Sequence, residues 1–317
     1  MKGAKQTTLR DEVAVTGVGV HSGRTVNLSL LPADDDAGIV FQRVTADGSL
    51  EREVRADVRA VTATEFATVL GDAKGPLCST AEHLLAALRG LHVDNVVVEI
   101  DGPEVPIMDG SAMPFVEALD QAGLTDRASP RRFIEVIKPV RVSIGDAFGE
   151  LRPYEHGFRV EAEIEFDHPL IGKQDLAVDV TPDTFRNEIA RARTFGFMKD
   201  VSKLWSAGYA LGASLDNTLV VSEDRVLNPE GLRFADEFVR HKVLDAIGDL
   251  ALAGLPLIGA YKTIRGGHKL NNAVLTALMA NTAAWRVVEA PVERPRARGH
   301  AELAVGVPAA AFGPDVS

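Results

Sequence analysis

The chain has 317 residues, of which 46% are hydrophobic, so it is long enough to bury a core in one large domain or two ordinary ones. Its formal net charge of -11 argues against sequence-independent binding of nucleic acid and against electrostatic docking on an anionic bilayer, since both require a basic surface. The single cysteine, Cys78, excludes an internal disulfide framework and a Cys-rich zinc site.

The cysteine count also favours a reducing compartment. The N-terminus has no apolar signal-peptide core, and no apolar run reaches the roughly 18 residues of a transmembrane segment. We therefore expect a soluble cytoplasmic protein whose partner is a small molecule or a protein, and we interpret Cys78 as a small packed residue.

The first half of the chain is predicted to contain strands and two helices. Residues 9–33 alternate in polarity around a glycine-rich turn, which predicts a β-hairpin rather than a dinucleotide-binding loop. The later predicted elements are a helix over residues 79–91, a buried strand over 95–100, a Pro/Gly-rich loop over 101–111 and a helix over 114–122.

Three ionisable side chains of this half need interpretation. His21 lies in the hairpin turn, where an exposed loop histidine is the favoured interpretation. Ser79 and Glu82 have the S-x-x-E spacing of a capping box, which would explain Glu82 as a helix cap. His83 follows in the first helical turn, where the helix dipole would keep an imidazole neutral and able to bind a metal.

The chain is predicted to divide near its middle. Residues 126–132 are polar, lie between two periodic apolar stretches and are predicted to be a linker. They would separate an N-terminal α+β domain, 1–125, from a C-terminal α+β domain, 133–290, and the Pro/Ala/Arg-rich tail, 291–317, is predicted to be mobile. Each half offers strands, a principal helix and a second helix, which indicates a weak internal duplication of a two-layer α+β unit.

The second half begins with predicted strands and ends with helices. Strands are predicted over residues 133–144, 148–153, 158–166, 175–180 and 219–221, and helices over 200–209, 233–254 and a last segment that ends near 282.

The stretch 233–254 is predicted to be a long helix, because it is long and contains no proline. His241, Asp245 and Asp249 lie four residues apart and share one face, and apolar residues occupy both faces. Such a helix is normally buried, and ionisable groups buried with it must be paired, hydrogen-bonded or bound to a metal. The His-x-x-x-Asp spacing allows one helix face to bind a metal ion, while a surface His–Asp pair is the alternative interpretation.

Three side chains suited to zinc therefore occur in two segments: His83 in the first half, and His241 and Asp245 in the second. Three nitrogen or oxygen ligands with a fourth position for water are typical of a catalytic zinc site. Glu82 lies beside one of these ligands and is a candidate general base. His268, which follows two glycines, is a candidate general acid.

Six motifs in order connect the sequence with a known family. They are GVGVHSG, STAEHLLAALRGL, DGPEVPIMDGSAMPFV, RARTFGF, RFADEFVRHKVLDAIGDL and GGHKLNN, and they extend from Gly17 to Asn272. On these motifs the sequence resembles the zinc-dependent UDP-3-O-acyl-N-acetylglucosamine deacetylases of lipid A biosynthesis (LpxC). The resemblance implies an α+β fold of two similar two-layer α/β-sandwich domains, with helices packed face to face and the active site between them.

The resemblance also implies roles for single residues. His83, His241 and Asp245 match the zinc ligands of the family, and Glu82 matches its general base, which replaces the interpretation of Glu82 as a cap. His268 matches the general acid. Two further groups are implied near them: Asp249 orients the imidazole of His268, and Thr194 helps to stabilise the oxyanion.

Substrate contacts are implied as well. Phe195 would lie near the sugar, Lys242 would face the diphosphate, and Arg265 stands where the family often has another basic group. The family has a hydrophobic passage for the acyl chain, which we assign to residues 200–212. Some members have a cysteine where this chain has Ala67, so a thiol ligand is absent at that position.

The predicted function is therefore zinc-dependent removal of acetate from an acylated UDP-amino sugar by a monomeric enzyme, with a small-molecule substrate and no nucleic acid. Iron(II) could occupy the same ligands. Two alternatives stay open: a zinc amidohydrolase that acts on a different N-acyl substrate, and a non-catalytic sugar-nucleotide binding protein. The second alternative would be expected to have lost Glu82 or His268, and both are present.

Overall fold

The computed structural model describes residues 5–45 and 47–290 and shows a fold of several mixed sheets and helices. The predicted α+β class is therefore confirmed. The tail over residues 291–317, which was predicted to be mobile, lies outside the described residues. Within the described residues, none of the helices has both the length and the apolar composition needed to cross a bilayer.

The first half is built from ten strands and two helices of the described chain. In chain order they are β1 (Lys5–Leu9), β2 (Val13–Val18), β3 (Thr25–Pro32), β4 (Ile39–Val44), β5 (Leu50–Arg55), β6 (Val61–Ala63), β7 (Val69–Asp72), β8 (Gly75–Cys78), α1 (Glu82–Gly90), β9 (Val96–Ile100), α2 (Met113–Ala122) and β10 (Leu124–Pro130). One sheet has the order β2-β3-β9-β4-β5, and a smaller one has the order β6-β7-β8.

The predicted hairpin is confirmed, because β2 and β3 pair antiparallel. Alternation of polarity explains which face of β3 is buried: Val26, Leu28 and Leu30 are fully buried, while the residues between them are more exposed. Cys78 at the end of β8 is a buried free thiol, as predicted.

The second half contains the remaining strands and α-helices of the described chain. They are β11 (Arg132–Val136), β12 (Val140–Ile144), β13 (Ala147–Arg152), β14 (Phe158–Glu165), β15 (Lys173–Asp179), α3 (Pro182–Thr184), β16 (Phe195–Phe197), α4 (Val201–Ser206), β17 (Leu219–Val221), α5 (Glu237–Leu250), β18 (Leu257–Ile264), α6 (His268–Ala280) and β19 (Trp285–Glu289). The main sheet has the order β12-β13-β18-β11-β19, with β14 joined to β18 and β15 joined to β14. A separate parallel pair, β16 and β17, lies near the site described below.

Helices α1 and α5 pack against each other and bring the two halves of the chain together. Every residue of α1 is buried, and α5 is buried on both faces, as its apolar composition predicted. Gly248 makes the close approach possible, because a Cβ atom there would lie only 2.0 Å from the carbonyl oxygen of Glu82. Helix α5 is shorter than the predicted 233–254 at both ends.

Two local predictions were wrong. Residues 124–130 are not a polar turn, because they form β10, which pairs antiparallel with β1, so most of the predicted linker 126–132 lies in strands. The predicted capping box is also absent. Ser79 pairs with the backbone of Pro103 and Val105, so α1 begins only at Glu82, and its N-cap residue makes no side-chain cap.

Candidate active site

The three predicted metal ligands meet where α1 and α5 pack together. His83 comes from α1, and His241 and Asp245 lie one turn apart on α5. The Oδ1 atom of Asp245 lies 3.3 Å from Nε2 of His241 and 3.7 Å from Nε2 of His83. One ligand atom from each residue lies within 4.8 Å of the others, and all three residues are buried. The cluster therefore has the size of a single coordination sphere.

The chemistry of this cluster fits a divalent ion. Oδ1 of Asp245 is buried without a hydrogen-bond partner among the described residues, which is costly unless a cation binds it. Burial lowers the pKa of His241 to about 3, so its Nε2 lone pair is free. Burial acts to raise the pKa of Asp245, but His241 and Lys242 hold it well below its usual range. Two imidazole nitrogens and one carboxylate oxygen are the ligand set of an open zinc site.

Hydrogen bonds orient two of the predicted ligands, His241 and Asp245. The Nδ1–H of His241 donates to the carbonyl oxygen of Ala192 at 3.1 Å, which leaves Nε2 as the metal-facing nitrogen. The ammonium of Lys242 donates to Oδ2 of Asp245 at 2.8 Å, so the two oxygens of this carboxylate have different environments.

A buried ion pair fixes the segment that carries Ala192. Arg193 is 2% exposed, and its Nε donates to Oε1 of the fully buried Glu237 at 2.9 Å. The backbone N–H of Arg193 donates to the same oxygen at 3.0 Å. Because Glu237 lies one turn before His241 on α5, this pair ties the 190–197 segment to the helix that carries two predicted ligands.

Removing one partner of this pair should be strongly destabilising. Glu237→Ala leaves the guanidinium of Arg193 buried without its main counter-charge, so we expect the free energy of unfolding to fall by about 3–5 kcal/mol. Urea denaturation measures the loss. Glu230→Ala is the matched control, since Glu230 pairs with the same guanidinium but is 54% exposed, and we expect a loss of at most about 1 kcal/mol. Equal losses in both variants would contradict a special role for the buried partner.

The side chains of Glu82, His268 and Asp249 lie next to one another beside the metal-binding cluster. Nδ1 of His268 bonds to Oδ2 of Asp249 at 2.9 Å, and Nε2 of His268 faces Oε1 of Glu82 at 3.9 Å. Asn271 donates from Nδ2 to Oδ2 of Asp249 at 2.8 Å. Thr68 donates its hydroxyl to Oδ1 of Asp249 and its backbone N–H to Oε2 of Glu82.

These contacts set the protonation states of the predicted acid and base. Burial disfavours the imidazolium of His268, but the carboxylates of Asp249 and Glu82 outweigh it and raise the pKa of His268 to about 10. Burial raises the pKa of Glu82 above its ordinary value, although His268 and His83 oppose the shift. A charged His268 beside an ionised Glu82 is thus the favoured state between the two pKa values.

A cavity of about 310 Å³ opens over these groups. Its polar lining includes the metal-binding cluster and predicted catalytic groups, which are Glu82, His83, Thr194, His241, Lys242, Asp245 and His268. Its apolar lining includes Phe195, Phe197, Val201, Leu204, Ala210, Ala213 and Val220. The cavity is thus lined both by ionisable groups and by apolar side chains.

Comparison with known proteins decides the family. The family model described as LpxC, UDP-3-O-acyl N-acetylglycosamine deacetylase, matches residues 6–280. The chain belongs to this deacetylase family. Similar relatives include the UDP-3-O-acyl-N-acetylglucosamine deacetylases of Brucella ovis, Brucella canis and Brucella melitensis biotype 2. Each is 52% identical over 288 residues, which cover 90% of this chain and 99% of the relative.

The LpxC deacetylases are metalloenzymes, and the described part of this chain contains a His/Asp group that could hold an ion. Of the residues implied by the family motifs, Asp249 and Arg265 do not line the cavity. Asp249 is joined to the cavity-lining His268 by a hydrogen bond, whereas Arg265 contacts none of the clustered groups described above. Its guanidinium is paired with Glu165, donating from Nε at 3.0 Å, and it does not line the cavity. Lys242 lines the cavity but is engaged with Asp245.

The sequence did not predict several groups in and around this cavity. His21 was expected to be exposed, but it is half-buried and lines the cavity, with its ring edge-on against Tyr209 at 5.4 Å between centroids. Glu104 fixes its turn, because its carboxylate accepts the backbone N–H groups of His21 and Ser22. Nothing in local spacing indicates Thr68, whereas Asn271 could have been found one helical turn after His268.

Proposed function

We propose that the chain is a zinc-dependent hydrolase that removes acetate from UDP-3-O-(3-hydroxyacyl)-N-acetylglucosamine in lipid A biosynthesis. Family membership over most of the chain makes it a deacetylase that acts on a small-molecule substrate. The observation that carries the rest of the proposal is the buried cluster of His83, His241 and Asp245 beside Glu82 and His268. Zinc is proposed because this nitrogen and oxygen ligand set suits it.

Each residue around the cluster has its own role in the proposed reaction. When bound, the divalent ion would polarise the acetamide carbonyl and bring the pKa of an attacking water to about 7. Glu82 takes a proton from that water through Oε1, because its Oε2 already accepts the backbone N–H of Thr68. Thr194 lines the cavity, and its hydroxyl would donate to the oxyanion that develops.

His268 completes the reaction. An amine cannot leave as its anion, so a proton must reach the nitrogen as the C–N bond breaks. Nδ1 of His268 is held by Asp249, which leaves Nε2–H as the donor toward the cavity. The products are acetate and a free 2-amino sugar nucleotide, and the proton that Glu82 accepted balances the one that His268 delivers.

Substrate-binding roles are part of the proposal. Phe195 would contact the sugar, and Lys242 and Arg265 would serve the diphosphate, for which both have to leave their present carboxylate partners. Residues 200–212 would guide the acyl chain, a role supported by Val201, Leu204 and Ala210 in the cavity wall. We further propose a cytoplasmic monomer of two α+β domains, 1–125 and 133–290, which are joined through strands rather than through a free linker.

A comparison of three substrates tests the function. Acetate release should be fastest from the acylated UDP-N-acetylglucosamine and much slower when either the acyl chain or the UDP is missing, because apolar side chains and a lysine line the cavity. Equal rates on all three, or on an unrelated N-acetyl compound, would favour a different zinc amidohydrolase. Binding without any acetate release would favour a non-catalytic sugar-nucleotide binding protein.

The rate of acetate release should fall at both low and high pH. Below the raised pKa of Glu82 the carboxyl is protonated and cannot accept a proton, so the rate should fall as pH falls through that pKa. Near pH 10 His268 loses its proton and can no longer act as an acid, so the rate should fall again. Measurement of kcat/KM against pH reports both groups in the free enzyme. A His268→Gln variant that kept the same basic limb would contradict its assignment to His268.

A further inference from the structure

Thr68 lies just before β7, in contact with the start of α1. It is 2% exposed, and its backbone carbonyl accepts the N–H of Ala81 at 3.3 Å. Its own N–H donates to Oε2 of Glu82 at 3.0 Å. The backbone of Thr68 is therefore docked on the first turn of the helix that carries the predicted base and one predicted ligand.

The contact with Glu82 selects one oxygen for proton transfer. Oε2 is occupied by the N–H of Thr68, while Oε1 faces Nε2 of His268 across 3.9 Å. A carboxylate held at one oxygen cannot rotate freely about its last bond, so the other oxygen keeps its direction toward the cavity.

The side chain of Thr68 makes a second contact, with the other half of the chain. Its hydroxyl donates to Oδ1 of Asp249 at 2.6 Å, and Oδ2 of Asp249 accepts from Asn271 and bonds to His268. Both oxygens of this buried carboxylate are thus engaged. Because Asp249 orients the imidazole of His268, a residue of the first half acts on the predicted acid in the second half.

We propose that Thr68 is the positioning residue that fixes the general base and the general acid relative to each other, Glu82 through its N–H and the Asp249–His268 pair through its hydroxyl. The inference rests on the proposed function for its kinetic consequence only. Thr68 touches no reacting atom, so it acts on the rate of the chemical step rather than on substrate affinity.

The test is a set of threonine variants assayed for acetate release. Thr68→Val keeps the shape and the backbone N–H but removes the hydroxyl, and kcat should fall about 10- to 100-fold, the rate equivalent of one hydrogen bond to a charged group. KM and bound zinc should stay unchanged, and Thr68→Ser should restore most of kcat. If the valine variant does not fold, Thr68→Ala takes its place.

Thr8→Val is the matched control. Thr8 is 1% exposed, and its hydroxyl also has a hydrogen bond, from the backbone N–H of Ala33, but it lies outside the cavity lining. Its kcat should equal that of the wild type. Unchanged kcat in Thr68→Val, or an equal loss in Thr8→Val, would overturn the proposal.

A substrate-free measurement separates this inference from the proposed function. The ring N–H proton of His268 toward Asp249 should give a low-field NMR signal, assigned by its loss in His268→Gln. The signal should move in Thr68→Val, stay in place in Thr8→Val and return in Thr68→Ser. If the wild type released no acetate, the proposed function would fail while this signal still decided the positioning role, and a signal unmoved in Thr68→Val would reject that role.

Discussion

Replacing His268 with alanine should lower kcat by about 10²- to 10⁴-fold, the usual contribution of a positioned general acid or base. Nε2 of His268 lies 3.9 Å from Oε1 of Glu82. Without this imidazole, no other charged donor of the described cavity lining lies as close to that carboxylate. Bound metal should stay at the wild-type level, because His268 is not one of the three clustered ligands. The expected signature is loss of turnover with the metal retained.

The measurement is steady-state acetate release together with metal analysis of each variant. His156→Ala is the control, since this histidine is exposed and its ring contacts Tyr154 outside the cavity lining. Asp249→Asn should show a smaller version of the same loss, because it removes the charge that keeps His268 protonated. If His268→Ala were as active as the wild type, His268 could not be the acid.

Replacing Asp245 with alanine should lower zinc affinity by more than about 100-fold and lower activity with it. Partners outside the coordination sphere typically change metal affinity by about 10- to 100-fold, so loss of a ligand should exceed that range. The same change removes the carboxylate that faces both imidazoles and leaves Lys242 without its ion pair. Competition with a chelator of known affinity measures the dissociation constant of zinc directly.

Asp236→Ala is the control for this variant. Asp236 immediately precedes the same helix and pairs with Arg240 at 2.6 Å, but it is not part of the metal-binding cluster. Zinc affinity should be unchanged in that variant. An Asp245→Ala enzyme that retained wild-type zinc affinity and rate would refute the assignment of Asp245 as a ligand.

Helical periodicity was the main sequence signal that predicted part of the candidate site correctly. The spacing of His241 and Asp245 on an uninterrupted apolar helix predicted both a shared face and burial, and the structure has both. The place of His83 in the same cluster could not be derived this way. It depends on the packing of α1 against α5, and only the family resemblance joined the two segments before the structure did.

The wrong predictions have a common physical cause, which is that contacts distant in sequence outweighed local signals. Ser79 has the spacing of a cap but pairs with the backbone of the 101–111 loop, and this moves the start of α1. The polar segment 126–132 is largely in strands because β1 supplies its hydrogen-bond partners. His21 lines the cavity because its turn is held by a buried glutamate.

The most direct test of the account is metal removal and reconstitution with acetate release as the readout. The purified chain, assayed on the acylated UDP-N-acetylglucosamine, should carry one zinc or iron(II) ion per molecule, lose activity when a chelator removes it and regain activity with added zinc. Retention of full acetate release by the metal-free chain, or no release by the zinc-loaded chain, would contradict the central claim.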